Sequence, residues 1–249
     1  KVSFGFARGL DVFPETFNAD VSGIRAAISA FGRKFQIASP LIGDFNLLNI
    51  LGASALSVAL GVDVAAVADG VRRCSGAPGR LEAVAVAPDI TVLVDYAHKP
   101  DALEAVLTML RGLAKGRVIC VFGCGGDRDP GKRPVMGEIA GRLADTAVLT
   151  SDNPRSEDPL KIIDDVEQGL MQTGLRRQAS WTRDARGYVV EPDRRAAIAI
   201  AIRSAAPGDI VIIAGKGHED YQLVGKQILK FDDREVAREI AAELGQGQC

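Results

Sequence analysis

Strand-length runs that are apolar at nearly every position, not at every second one, constrain this 249-residue chain more than any other feature. Val211-Ile-Ile-Ala214 is the clearest, and Thr91 to Val94, Arg117 to Phe122 and Ala147 to Thr150 follow the same rule. A strand with one wet face alternates polar and apolar residues; a near-continuous apolar strand is covered on both faces, which predicts a parallel, doubly wound α/β sheet. Helical periodicity fills the intervals, over Pro100 to Leu113, Pro134 to Ala144, Pro159 to Met171 and Pro192 to Ala206. Pro100, Pro134 and Pro192 suit first helical turns. A hairpin across Gly225-Lys226 and a helix from Asp233 to Leu244 close the series, with Asp232 and Glu235 spaced as a capping box.

The first third reads differently. Residues 1 to about 40 form short strands divided by Gly, Pro, Asn and Asp, and Val2 to Phe6 and Phe31 to Ile37 alternate like strands needing partners. With no initial Met, the chain is expected to begin inside a domain. In Asn46 to Leu60, apolar Leu47, Ile50, Leu51, Leu56 and Leu60 lie at helical spacings, with Gly61 as the C-terminal cap. A second helix is predicted from Val64 to Cys74. Ser75-Gly-Ala-Pro-Gly79 then reads as a linker, so the expected domains are residues 1–80 and 81–249.

Composition narrows the partners. With 47% hydrophobic and 25% charged residues the chain is an ordinary globular protein, long enough to bury about 70% of its unfolded surface. A net charge of −2 without a basic stripe argues against nucleic acid. The absence of an apolar run of about 18 residues argues against a membrane span. Cys74, Cys120, Cys124 and Cys249 form no Cys-x-x-Cys pair and read as free thiols, so a cytoplasmic protein is expected.

Four polar clusters each follow an apolar run, at the strand carboxyl ends where ligands bind in open α/β sheets. Gly126-Asp-Arg-Asp-Pro-Gly131-Lys132 almost spells a phosphate loop, but Arg133 stands where a magnesium-binding hydroxyl is required, and Gly123-x-Gly125 lacks the third glycine of a dinucleotide fingerprint. Backbone N–H groups beside Arg128, Lys132 and Arg133 would still favour an anion; a solvated loop is the plain alternative. Asp152-Asn153-Pro154-Arg155 is a stiff bend in which Arg155 can grip a carboxylate and Asp152 an ammonium, as a zwitterion receptor would, or else a simple turn capping the next helix. In Gly215-Lys-Gly-His-Glu219 the glycines let a ligand approach the backbone and Glu219 adds an anion, while a lone His218 is more often structural. Asp95-Tyr-Ala-His98 sets an acid and a ring at a strand end, where ribose and base contacts are plausible.

Together with Gly43-Asp-Phe-Asn46-Leu-Leu-Asn49 and Gly79-Arg80-Leu-Glu82, these clusters occur in the order found in Mur ligases of peptidoglycan synthesis. Over essentially its whole length the chain resembles the C-terminal half of the members that add meso-2,6-diaminopimelate. The resemblance implies an ATP-dependent amide-forming ligase of cell-wall biogenesis, tied to cell shape and division, with ATP and Mg2+ as cofactors. Its substrates would be UDP-N-acetylmuramoyl-L-alanyl-D-glutamate and meso-diaminopimelate. By the same resemblance, ATP would phosphorylate the D-glutamyl carboxylate and the diaminopimelate amine would attack the acyl phosphate. Arg128, Asp152, Asn153, Pro154, Arg155, Gly215 and Glu219 would hold diaminopimelate, and Asn46, Asn49, Arg80, Asp95 and His98 the nucleotide, with no catalytic protein nucleophile.

The family's true phosphate loop and carbamylated, magnesium-holding Lys have no counterpart here. Residues 1–80 therefore correspond to the tail of the central ATP-binding domain and 81–249 to the amino-acid-binding domain. An inactive, monomeric fragment is expected, with the magnesium ligands mainly in the missing N-terminal half. Two other readings stay open: a related Mur or folylpolyglutamate-type ligase with another acceptor, and a non-catalytic amino-acid-binding domain.

Overall fold

The computed structural model describes residues 1–87, 89–179 and 186–246. It divides into two compact units, Lys1–Gly76 and Ala77–Cys249. Cys249 lies outside the described residues.

In the first unit, strands β1 (Val12–Asp20), β2 (Gly23–Ala30) and β3 (Arg33–Ser39) form an antiparallel sheet in the order β1-β2-β3. The β2–β3 turn is two residues long, Phe31 and Gly32, both at positive φ (49° and 77°), as a type I′ hairpin requires. Val2–Phe6 does not make a strand, contributing only the bridge Phe4 to Val12, because β1 takes its ladder from β2. Helices α1 (Asp44–Ala59) and α2 (Val64–Arg73) follow. Leu47, Ile50, Leu51, Ala55 and Val58 of α1 pack with Val67 of α2 on Ile24, Ala26, Ile28 and Ile37. Gly61, at φ 87°, ends α1 as expected, with its N–H donated to the Val58 carbonyl at 3.0 Å.

The second unit holds six strands in the order β4-β5-β9-β6-β7-β8: β4 (Glu82–Ala87), β5 (Ile90–Asp95), β9 (Ile210–Ala214), β6 (Val118–Phe122), β7 (Thr146–Leu149) and β8 (Gly187–Val190). All neighbours are parallel except β4, which runs antiparallel at the edge. On one face α6 (Arg194–Ser204) and α7 (Asp233–Gln246) bury Ala197, Ile198, Val236 and Ile240 against Val94, Val121, Val148 and Ile213. Alternate residues such as Leu93, Phe122 and Leu149 are fully buried beneath α3 (Pro100–Leu113), α4 (Lys132–Leu143) and α5 (Pro159–Gln172). The expected α/β, mostly parallel doubly wound sheet is the observed one.

Two strands, β4 and β8, are additional to the expected set. α4 begins two residues before Pro134, and Pro192 precedes the N-cap Asp193, whose side chain accepts from the Ala196 N–H at 2.8 Å. Only half of the capping box forms: Asp232 accepts from the Arg234 N–H at 2.8 Å, while Glu235 pairs with Lys230 at 3.0 Å.

α4 and α5 cross so closely that a Cβ on Gly169 would lie 1.8 Å from the Pro134 carbonyl oxygen, and one on Gly137 2.0 Å from that of Val166. Neither neighbour can yield without moving a helix, so Gly169→Ala is expected to cost about 1–3 kcal/mol or more in urea denaturation. Gly112→Ala in α3, where a Cβ meets nothing within 4 Å, should instead gain about 0.5–1 kcal/mol.

Candidate active site

Loops at the carboxyl ends of β5, β6, β7 and β9 surround a cleft of about 880 Å3 in the second unit, lined by Tyr96, His98, Arg128, Asp152, Asn153, Arg155, Gly215 and Glu219 among others. The cleft sits where the strand order reverses, β9 lying between β5 and β6, which is the ligand crevice of open α/β sheets.

Arg155 is built in from two sides. Its backbone has φ 53°, and the local turn is clamped by strand β10 (Tyr221–Val224) and the turn leading from it to β11 (Gln227–Lys230). Its N–H donates to the Leu223 carbonyl at 2.9 Å, and its carbonyl accepts from Gly225 at 2.6 Å. One guanidinium N–H reaches the Gly126 carbonyl at 2.8 Å, and a Cβ on Gly125 would stand 2.7 Å from the same nitrogen. The paired glycines after β6 thus make room for this side chain. Arg128 also lines the cleft and is exposed, its guanidinium 3.4 Å from the Asp127 carbonyl.

Asp152 lies at the cleft floor, 8% exposed, with Oδ2 buried and unpartnered. A Cβ on Gly215 would come within 2.5 Å of that atom, so glycine there keeps the path to it open. Burial pushes the Asp152 carboxyl above its ordinary range, against the pull of Arg194 and Lys216 and with help from Glu219 and Asp233. The two cations have partners of their own. Arg194, fully buried, holds Asp233 through two bonds of 2.8 Å, and Lys216, also fully buried, lies 3.3 Å from Glu219. The sequence does not signal the Arg194 pair, because a partner 39 positions away leaves no local signature.

Asn153 is committed on both sides of its carboxamide. Oδ1 accepts from Lys216 Nζ at 3.2 Å and from the Leu223 N–H at 2.9 Å, and Nδ2 donates to Glu219 Oε2 at 2.8 Å. Pro154 passes its chain directly to Arg155, and its carbonyl lies 2.0 Å from where a Gly126 Cβ would be.

Three expectations need correction. The 126–132 loop is no open anion cradle: the Gly126 N–H goes to the Asn153 carbonyl (2.9 Å), that of Asp127 to Glu157 (2.5 Å) and that of Gly131 to Asp129 (2.9 Å). Arg133 is 3% exposed and spent on Glu157 (2.8 Å) and Asp165 (2.9 Å), while Lys132 Nζ holds the His98 carbonyl at 2.7 Å. Asp95 is also turned inward, 6% exposed, accepting from the Leu81 N–H at 2.9 Å, and burial raises its pKa. Its carboxylate holds the Arg80–Leu81 corner, where Leu81 has φ 45°.

On the remaining wall the His98 ring lies 4.5 Å from that of Tyr96, which sits 5.1 Å from His218 and beneath the Arg80 guanidinium at 4.9 Å. His98 Nδ1 is 2.8 Å from the Tyr96 carbonyl. In the first unit Asn46 and Asn49 lie one turn apart on α1, where the Asn46 Nδ2 donates to the Ile42 carbonyl at 2.8 Å. Cys120 and Cys124 are buried, their thiols pushed up to about 12, and Cys74 is exposed. Among the described residues no helix is long and apolar enough to cross a membrane.

This sheet order, with a cleft lined by carboxylates and guanidinium groups past the strand carboxyl ends, defines an open α/β domain with a ligand crevice. Residues 79–217 match the family model of the Mur ligase glutamate ligase domain, and the chain belongs to the Mur ligase family. It is 47% identical over 244 residues, 97% of its length, to a protein of Thermosynechococcus vestitus named UDP-N-acetylmuramoyl-L-alanyl-D-glutamate–2,6-diaminopimelate ligase, of which it covers 46%. The identically named protein of Gloeobacter violaceus is also 47% identical, over 95% of this chain and 46% of its own length. A solved structure of that name matches with TM-score 0.72 at 35% identity, covering 98% of this chain and 48% of the other. UDP-N-acetylmuramate-alanine ligase of Thermotoga maritima shares the fold alone, at TM-score 0.67 and 18% identity over 99% of this chain and 48% of the other. The chain thus spans about half the length of the curated relatives it matches.

Proposed function

We propose that this chain is the acceptor-binding half of an ATP-dependent ligase that adds meso-diaminopimelate to UDP-N-acetylmuramoyl-L-alanyl-D-glutamate in the bacterial cytoplasm, and that it acts as a monomer. The observation that carries the reading is a charge pattern. Guanidinium groups of Arg155 and Arg128 stand at one cleft with the carboxylates of Asp152 and Glu219, as a ligand ending in both a carboxylate and an ammonium requires. In this reading Arg155 and Arg128 take the distal carboxylate. Asp152, Glu219 and the Gly215 carbonyl take the distal ammonium, and Asn153 and Pro154 set the bend between the two grips. The other amine is left free to attack. Arg80 and His98 serve the nucleotide, a role proposed also for Asn46 and Asn49, while Asp95 holds the Arg80–Leu81 corner.

Chemically, ATP converts the D-glutamyl carboxylate into an acyl phosphate. The amine then attacks the acyl carbon, phosphate leaves, and the amine sheds a proton as the amide forms. The contribution of this chain is to fix the amine and to neutralise charge, both of which lower the barrier without a protein nucleophile. Among the described residues no group of three or more His, Cys, Asp or Glu could hold a metal, so no step on this chain is assigned to Mg2+.

Calorimetry of the purified chain tests the reading. One meso-diaminopimelate is expected per chain, with L-lysine weaker, and no phosphate release from ATP when both other substrates are supplied. Robust ligation by the chain alone would show that the machinery is complete, and equal affinity for lysine would remove the acceptor assignment. A non-catalytic amino-acid-binding domain would bind without any effect of ATP.

A further inference from the structure

Lys216 is fully buried between its two glycines, next to Gly215 of the cleft lining. Its Nζ makes three contacts: Asn153 Oδ1 at 3.2 Å, Glu219 Oε2 at 3.3 Å and the Tyr221 carbonyl. It also lies 5.5 Å from the Tyr221 ring centroid. An ammonium has three protons, and three acceptors surround this one, so it has none to offer a ligand.

The consequence runs through Asn153. A carboxamide can sit either way round, and here the orientation is settled by two donors, Lys216 Nζ and the Leu223 N–H, both directed at Oδ1. Nδ2 must then face Glu219, to which it donates at 2.8 Å. Glu219 Oε2 therefore receives one N–H from Asn153 and one from Lys216, which holds the carboxylate by that oxygen and leaves Oε1 without a hydrogen bond among the described residues. Asp152 Oδ2, the neighbouring atom without a partner, lies on the same floor.

From these contacts we infer that Lys216 is a positioning and specificity-determining residue: acting through Asn153 and Glu219, it sets the anionic end of the cleft for the distal ammonium of the acceptor amino acid. It does not bind phosphate, and Asn153 serves as the bracket between lysine and glutamate. The inference rests on the proposed acceptor reading and adds to it which residues discriminate a distal ammonium from its absence.

The test uses two probes, meso-diaminopimelate and L-2-aminopimelate, which keeps the distal carboxylate but lacks the distal ammonium. In the wild-type chain diaminopimelate should bind more tightly by roughly 10- to 100-fold, the range of hydrogen bonds to charged groups. Lys216→Met should bring diaminopimelate down to the affinity of 2-aminopimelate, whose own affinity stays within about threefold. Asn153→Asp, which sets an oxygen against Glu219 while keeping the Lys216 contact, should do the same and serves if Lys216→Met does not fold. Equal losses for both probes in a folded variant would mean a general structural role and overturn the inference. Failure of the wild-type chain to bind either probe would instead remove the acceptor reading, and this inference with it.

Discussion

Arg155→Ala is expected to weaken meso-diaminopimelate by roughly 10- to 100-fold in calorimetric titration, while L-lysine, which has no distal carboxylate, changes by less than about threefold. The expectation is specific because the substitution is local. Alanine at φ 53° bears much the same left-handed backbone cost as arginine, and the clamp on the residue is made by backbone atoms shared with Leu223 and Gly225. What disappears is the guanidinium and its bond to the Gly126 carbonyl. Arg155→Lys should recover little, since a point charge cannot reproduce a planar two-pronged grip. Parallel losses for both amino acids would indicate that the loop had moved, and would undo the assignment of Arg155 to the distal carboxylate.

Asp152→Asn should separate binding from stability. The Asp152 carboxylate is buried, with one oxygen unpartnered, and its folded-state pKa is raised above the ordinary 3.8. A raised acid pKa means the folded state holds a proton more tightly than the unfolded one, so this group subtracts stability above the unfolded value. The penalty is complete once pH exceeds the folded pKa and absent below 3.8. A carboxamide has nearly the same shape without the charge, so the variant should be more stable at neutral pH by about 1–3 kcal/mol, a difference that vanishes in acid. Diaminopimelate binding should fall at least tenfold, having lost its anion. In the wild-type chain, binding should also weaken as pH drops, at values above those at which an ordinary aspartate titrates. Urea denaturation and titration across pH check both halves. A variant that is less stable at neutral pH would mean that Arg194, Lys216, Glu219 and Asp233 together favour the charged form.

How much of this was legible in the sequence depends on the distance over which each residue finds its partners. The parallel core was, because Val211-Ile-Ile-Ala214 has no polar position to give to water. The convergence of Asp152, Arg155 and Glu219 was legible for the same reason: residues just past parallel strands meet at one edge. β4 and β8 escaped notice because one is an alternating edge strand rich in alanine and the other is four residues long and opens on Gly187. The roles of Lys216, Arg194 and Arg133 were hidden altogether. Each is a charged residue whose burial is decided by a carboxylate or amide brought in from elsewhere, 63 residues away for Lys216 and Asn153 and 39 for Arg194 and Asp233. Read locally, Lys132-Arg133 beside glycines looks like an anion site; in the fold Glu157 and Asp165 have already taken Arg133.

The order β5-β9-β6 sets when this site can come into being. β5 and β6 are joined by α3 early in the chain, yet they are not neighbours; each pairs with β9, which follows after residue 209. Two strands flanking an empty slot stand about 9–10 Å apart, twice the ordinary spacing, with no hydrogen bonds between them. A polypeptide emerging from the ribosome therefore cannot finish this sheet from its first four parallel-sheet segments. The keystone arrives nearly last, and it carries Gly215, Lys216 and Glu219 directly behind it. The sheet and the cleft are thus completed in a single late event, and a truncated product ending before Ile210 would lack Gly215, Glu219 and the seam that joins the cleft's two sides.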